Sequence, residues 1–94
     1  KTVRQELTLI QKLKEDKTDL DKELKKYKID PESLIKNLPN GRYKILLVLQ
    51  AMMGSPELVI LDEPFAGLDV VNRKIIEKIL KKYNHGTIFL KKSI

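Results

Sequence analysis

The stretch Leu58-Val59-Ile60-Leu61-Asp62-Glu63-Pro64 decides how this chain folds. Four apolar residues, two of them β-branched, make a run too short for a helix and suited to a strand buried in a parallel sheet. Two carboxylates and a proline end it. In open α/β sheets the C-terminal ends of strands are where ligands lie. Two solvated acids after a strand are also common, so the flanking residues have to decide. Downstream, Asn72 to Tyr83 places Ile75, Ile76, Ile79 and Leu80 on one face of an amphipathic helix. Asn84-His85-Gly86 closes that helix with a turn, and Thr87-Ile88-Phe89-Leu90 reads as a second strand. Strand, helix, strand in this order predicts one right-handed, parallel βαβ unit.

Upstream of the strand, Arg42 to Met53 is helix-like and strongly apolar, which predicts a mostly buried helix stopped by Gly54-Ser55-Pro56. Leu38-Pro39-Asn40-Gly41 reads as the loop leading into it. Residues 2–28 are helical in pattern, with Val3, Leu7, Ile10 and Leu13 at three- and four-residue steps and Leu20, Leu24 and Tyr27 repeating the spacing. Between these sets, Lys14-Glu15-Asp16-Lys17-Thr18-Asp19 has no apolar residue. A break is expected there, with Thr18 or Asp19 as the N-cap of a second helix. Asp30-Pro31-Glu32 is read as a turn into a short helix, Asp30 its N-cap and Pro31 its first residue.

At 94 residues the chain is one domain or part of one. Hydrophobic residues make up 41% and charged residues 34%, enough apolar content for a core, so a disordered tail is excluded. With no Cys there is no disulfide frame, zinc knuckle or thiol nucleophile, which fits a reducing compartment. No apolar run reaches the about 18–20 residues of a membrane-spanning helix, and the first residues lack the apolar core of a signal peptide. The net charge of +6 permits anionic partners. Its lysines, however, interleave with acids from Glu15 to Lys28, and the few aromatics form no stacking platform. A nucleic-acid partner is therefore not expected. Two strands do not make a stable α/β sheet, and Met52 and Met53 are the only methionines. The chain is expected to be a piece of a longer protein, with apolar sheet faces that promote self-association when it is alone.

Three further features single out the acids. Ala66-Gly67-Leu68-Asp69 follows them at once, Gly41 precedes them by one apolar helix, and the second strand comes at the matching distance. With these residues the chain resembles the ATP-binding cassette (ABC) ATPases. Leu58–Glu63 resembles the Walker B strand and Ala66–Asp69 the D-loop. The signature loop, usually Leu-Ser-Gly-Gly-Gln, falls on Leu38-Pro39-Asn40-Gly41-Arg42, and the separation from Leu38 to Asp62 matches without a gap. Thr-Val-Arg-Gln-Glu-Leu at residues 2–7 looks like the start of the family's helical subdomain, so the resemblance spans nearly the whole chain.

The resemblance implies an α/β fold, an incomplete P-loop NTPase-like domain. Residues 1–53 would be the helical subdomain ending in the signature helix. Residues 54–94 would be part of the RecA-like core with its parallel βαβ unit. It implies ATP and Mg²⁺ as ligands of the complete protein. Asp62 would hold the metal through water and Glu63 would be the general base of hydrolysis. Asn40, Gly41, Arg42, Asp69 and Ser93 would lie at the nucleotide. The implied partners are a second ABC ATPase subunit, facing the loop at Leu38–Arg42, and a transmembrane subunit on which the helices at 2–36 dock. The implied place is cytoplasmic, peripheral on the inner face of the cell membrane. Residues 2–7 together with Ala66–Asp69 look most like subunits of energy-coupling-factor importers of vitamins and metal ions.

The departures from the family are specific. The signature Ser is Pro39, which has neither hydroxyl nor backbone N–H. Asn40 replaces the first Gly, and its amide is expected to cap the following helix. Gly41 keeps the second Gly, where N–H groups of a helix N-terminus approach phosphate. Arg42 replaces Gln and reads equally as a phosphate partner or a surface Arg. The switch histidine position falls on Ser93, and His85 lies too early to replace it. Val70 replaces the Pro that follows the D-loop Asp. No Gly-x-x-x-x-Gly-Lys-Ser/Thr occurs in the chain, so the loop whose amides and Lys cradle the phosphates is not among these residues, and the Q-loop glutamine would fall before Lys1. These 94 residues are not expected to hydrolyse ATP alone. The competing reading is a degenerate ABC-like domain that binds a partner protein without ATPase activity, and the retained Glu63 speaks against it.

Overall fold

In the computed structural model, which describes residues 1–84 and 86–92, β1 (Leu58–Asp62) and β2 (Thr87–Lys91) run parallel, with Leu58 opposite Thr87 and Asp62 opposite Lys91. A helix, Val70–Lys82, connects them. The order strand, helix, strand and the parallel pairing are therefore as the sequence predicts. The strand expected to be buried is so on one face, and the apolar sheet face expected to be open in this piece is open. Val59 and Leu61 are buried, while Leu58 and Ile60 are 57% and 61% exposed. Only the inner face is covered, and Phe89, in register with Ile60, extends the open face at 58% exposure.

Four helices complete the described fold: α1 (Val3–Lys14), α2 (Leu20–Lys26), α3 (Asn40–Met52) and the connecting helix, α4 (Val70–Lys82). α3 packs against both β1 and α4. One apolar cluster runs from Val3, Leu7 and Leu24 through Ile45, Leu46 and Val48 to Val59, Leu61, Ile76 and Ile79. The expectation that α3 is mostly buried holds for its inner stripe only. Tyr43 and Leu47 on its other side are each more than 40% exposed.

Capping explains where the helices begin. Thr2 and Gln5 form a capping box on α1, with the Thr2 hydroxyl accepting from the Gln5 N–H at 3.1 Å and the Gln5 Oε1 accepting from the Thr2 N–H at 2.9 Å. The next two unpaired N–H groups of α1, on Val3 and Arg4, donate to the Ser33 and Pro31 carbonyls. Asp19, one of the two caps expected for α2, takes that role by accepting from the Lys22 N–H at 3.2 Å. The reading of Asp30 as a helix cap is corrected. Its carboxylate accepts from the Glu32 N–H at 2.9 Å and its carbonyl from Ser33, which makes a turn. The chain then extends so that Leu34 bridges antiparallel to Thr2, and the short helix is a 3₁₀ turn at Ile35–Asn37.

The apolar-free segment between α1 and α2 is pinned by charge. Asp16 accepts from the Thr18 N–H through one oxygen and from the Gly54 N–H through the other, each at 2.8 Å. Lys14 donates to the Gln50 carbonyl at 2.8 Å. Partial burial works against the Asp16 charge, but the bonds from Thr18, Gly54 and Gln11 outweigh it and hold its pKa below the usual carboxylate value. Among the described residues no helix is long and apolar enough to cross a membrane.

Candidate functional site

β1 delivers Asp62 and Glu63 to the C-terminal edge of the sheet. Asp62 is the last strand residue and is exposed. Glu63 leaves the strand with φ at 45°, in the left-handed region. For a residue with a side chain this conformation costs about 1–2 kcal/mol and persists where neighbours fix it. Here the Glu63 N–H donates to the Lys91 carbonyl at 2.9 Å, and the Glu63 carbonyl accepts from the Ala66 N–H at 3.2 Å and from Lys44 Nζ at 3.3 Å. Lys44 also donates to the Ala66 carbonyl. Beside this turn is an open hollow of about 560 Å³, lined by Glu63, Phe65, Arg73, Leu90 and Lys92 among others. The Arg73 guanidinium lies 5.0 Å from the Phe65 ring centroid.

The segment Leu38–Arg42 sits at the start of α3. The loop expected over Leu38–Gly41 is shorter: Asn40 and Gly41 already belong to the helix, and Pro39 is the N-cap without a side-chain bond. The expectation that Asn40 caps the helix is thereby corrected, because its backbone is inside the first turn. Gly41 packs tightly against the side chain of Asn72. A β-carbon there would collide with the Asn72 side-chain amide and lie 2.7 Å from Asn72 Cγ. Arg42 is engaged with α2, its Nη1 donating to the Tyr27 carbonyl at 2.9 Å. Asp69 caps α4, accepting from the Asn72 N–H at 2.8 Å and from Asn72 Nδ2 at 3.3 Å. Ser93 and His85 lie outside the described residues.

The structure thus brings Gly41 and Asp69 together through one residue, Asn72, and brings α3 onto the Glu63 turn through Lys44. Arg42 joins neither group. Sequence reading passed over Lys44 and Asn72. The available signal for Lys44 was a cation in an otherwise apolar helical run, Tyr43-Lys44-Ile45-Leu46-Leu47-Val48-Leu49.

Among the described residues no three Asp, Glu or His side chains converge as a metal cluster. A magnesium ion held with a nucleotide takes one or two protein carboxylates and fills its shell with phosphate oxygens and water. The exposed Asp62 fits that requirement.

No family model matches the chain. Over 72 residues it is 32% identical to the ATP-binding protein Uup of Buchnera aphidicola, covering 77% of this chain and 12% of that protein. Over 55 residues it is 42% identical to the ABC transporter ATP-binding protein ModF of Escherichia coli, covering 58% and 11%. Its fold matches the crystal structure of a protein named as a cobalt transport ATP-binding protein (cbiO-2), with a TM-score of 0.78 and 30% identity, over 96% of this chain and 36% of that one. The chain spans about an eighth of the length of the curated relatives and about a third of the structural neighbour. Sequence and fold together place the chain among the ATP-binding cassette ATPases, where it matches the C-proximal part of a transporter ATP-binding protein.

Proposed function

We propose that these residues are part of the ATP-binding subunit of an ABC transporter, which couples ATP binding and hydrolysis to transport across a membrane. The observation that carries the reading is the pair Asp62-Glu63 at the C-terminal end of a parallel strand, with the N-terminal end of α3 docked against the turn that follows.

In this reading Glu63 is the general base, its carboxylate taking a proton from the water that attacks the terminal phosphate of ATP. Asp62 holds Mg²⁺ through water, and the metal supplies neutralisation of phosphate charge. The first turn of α3 offers the N–H groups of Asn40, Gly41 and Arg42 to an anion. Pro39 withholds both the hydroxyl and the N–H that Ser would add at its position. Arg42 keeps guanidinium N–H groups beyond the one spent on Tyr27. Asp69 works by capping α4 and so holding the loop at Ala66–Asp69 in place. Ser93, at the switch position, offers a hydroxyl where an imidazole would sense phosphate.

Residues 1–53 are assigned to the helical subdomain and 54–94 to part of the nucleotide-binding core. The open face of Leu58, Ile60 and Phe89 is one that further core elements would cover. The partners are a second ATPase subunit, identical or not, facing Pro39–Arg42, and a transmembrane subunit against the helices of residues 2–36. The protein works on the cytoplasmic face of the membrane as a peripheral subunit. The structural neighbour is named for cobalt transport, which agrees with the metal-ion side of the reading as an energy-coupling-factor importer. Pro39 favours the second reading, a domain that binds partners without hydrolysis.

Two variants of the natural polypeptide separate the readings. Glu63→Gln lowers MgATP turnover by about 10²–10⁴-fold if the enzyme reading holds and changes nothing if it does not. Pro39→Ser combined with Ser93→His raises turnover if the altered positions weaken an active site, and no gain counts against that assignment.

A further inference from the structure

The geometry points to Lys44 as the residue that positions Glu63, by binding the carbonyls on both sides of the turn that carries it. This inference rests on the proposed role of Glu63 and deepens it.

Three observations carry it. The Glu63 backbone is in the left-handed region at φ 45°, so left to itself it would relax to a commoner conformation. The carbonyl of Glu63 has two lone pairs, and the Ala66 N–H and Lys44 Nζ engage it together. Lys44 then reaches past it to the Ala66 carbonyl, so one ammonium closes the turn from Glu63 to Ala66. An ammonium suits this task. It has three donors, no acceptor, and a stem long enough to lie along an apolar helix face. Lys44 is partly buried, where a charge-assisted bond to a carbonyl is about twice as strong as a neutral one.

Placement makes this more than a local clasp. Lys44 is three residues after Gly41, on the same face of α3, and Gly41 lies against Asn72 of α4. The first turn and a half of α3 is therefore fixed at two points to the segment from Glu63 to Asn72. On the N-terminal side, Lys91 of β2 holds the Glu63 N–H. The carboxylate of Glu63 leaves a backbone anchored to the sheet at one end and to α3 at the other. Lys44 touches neither nucleotide nor water in this account. It acts through Glu63 as a positioning residue.

The test uses the natural polypeptide that carries these residues, assembled as it occurs, with MgATP as the probe. Lys44→Met keeps the length and apolar stem and removes the donors. It is expected to lower kcat about 10- to 100-fold, the scale of misplacing a reacting group, with KM for MgATP unchanged within about twofold. Lys44→Arg, which keeps charge and several donors, is expected to restore most of the turnover. In a Glu63→Gln background, Lys44→Met is expected to add no further loss in single-turnover rate, because the two residues act as a unit. A full independent loss in that background overturns the inference, as does unchanged kcat, a rise in KM alone, or no rescue by Arg. Should Lys44→Met fail to fold, Lys44→Gln, whose amide serves one carbonyl without charge, gives an intermediate loss under the same criteria. If Glu63→Gln itself leaves turnover intact, the proposed function has failed and this role with it. Loss with Glu63→Gln but not with Lys44→Met overturns the Lys44 role alone.

Discussion

Gly41 in the first turn of α3 lies against Asn72 in the first turn of α4, so closely that a β-carbon at position 41 would sit 2.7 Å from Asn72 Cγ. The loop that resembles the family's signature and the helix that follows the D-loop are thus in direct contact within one chain. Asn72 in turn is bound by the Asp69 carboxylate. The Asn72 Oδ1 is buried without a hydrogen-bond partner among the described residues, so shape rather than bonding joins the two helices here.

Gly41→Ala tests that contact with a diagnostic sign. Inside a helix, Ala is preferred over Gly by about 0.8–1.0 kcal/mol, so in open space the change would stabilise. Overpacking predicts a net destabilisation of about 1–3 kcal/mol instead, read as a lower urea midpoint. Adding Asn72→Ala, which removes the amide, should recover most of the loss.

Asp69→Ala should cost about 1 kcal/mol, because the N-terminal N–H groups of α4 lose their cap. Asp69→Ser should retain most of the stability. Equal urea midpoints for Asp69→Ala and the parent would show that the cap contributes nothing.

Asp16 makes stability depend on pH. Its folded pKa lies below the usual carboxylate value, so its contribution is fully present above the unfolded value of about 3.9. That contribution is lost as pH falls through the lower, folded value. At pH 7, Asp16→Asn should lower stability, because the charged oxygens that accept from Thr18 and Gly54 are replaced. The gap between variant and parent should narrow as pH falls through the lower, folded value. A gap independent of pH would contradict the assignment.

A polypeptide of residues 1–94 alone should self-associate through Leu58, Ile60 and Phe89, the exposed sheet face. Ile60→Thr with Phe89→Thr keeps β propensity and removes apolar surface. Sedimentation should shift toward monomer, and an unchanged distribution would place the association elsewhere.

What the sequence made legible follows from the range of each interaction. Leu58–Leu61 and Thr87–Leu90 announced a parallel pair because length, β-branching and the helix between them are local signals. Asp19 could be read as a cap because capping acts within three residues. The open face of β1 followed from counting strands, since two parallel strands alone leave an apolar sheet face uncovered. Asp30 misled because Leu34 pairs with Thr2, a contact that no local pattern encodes. Lys14, Asp16 and Lys44 each bind backbone atoms far along the chain, at Gln50, at Gly54 and at Glu63 and Ala66, which no local pattern encodes. Asp62 and Glu63 could be singled out from the residues next to them, while the contact of Lys44 with the Glu63 turn required three dimensions.

The central claim is that Glu63 is the base of an ATPase. The most direct measurement is MgATP hydrolysis by the natural polypeptide beside its Glu63→Gln variant, with ATP binding followed in parallel. The account predicts turnover lower by about 10²–10⁴-fold, the contribution of a positioned general base, with ATP still bound. Equal turnover in the two proteins would contradict it.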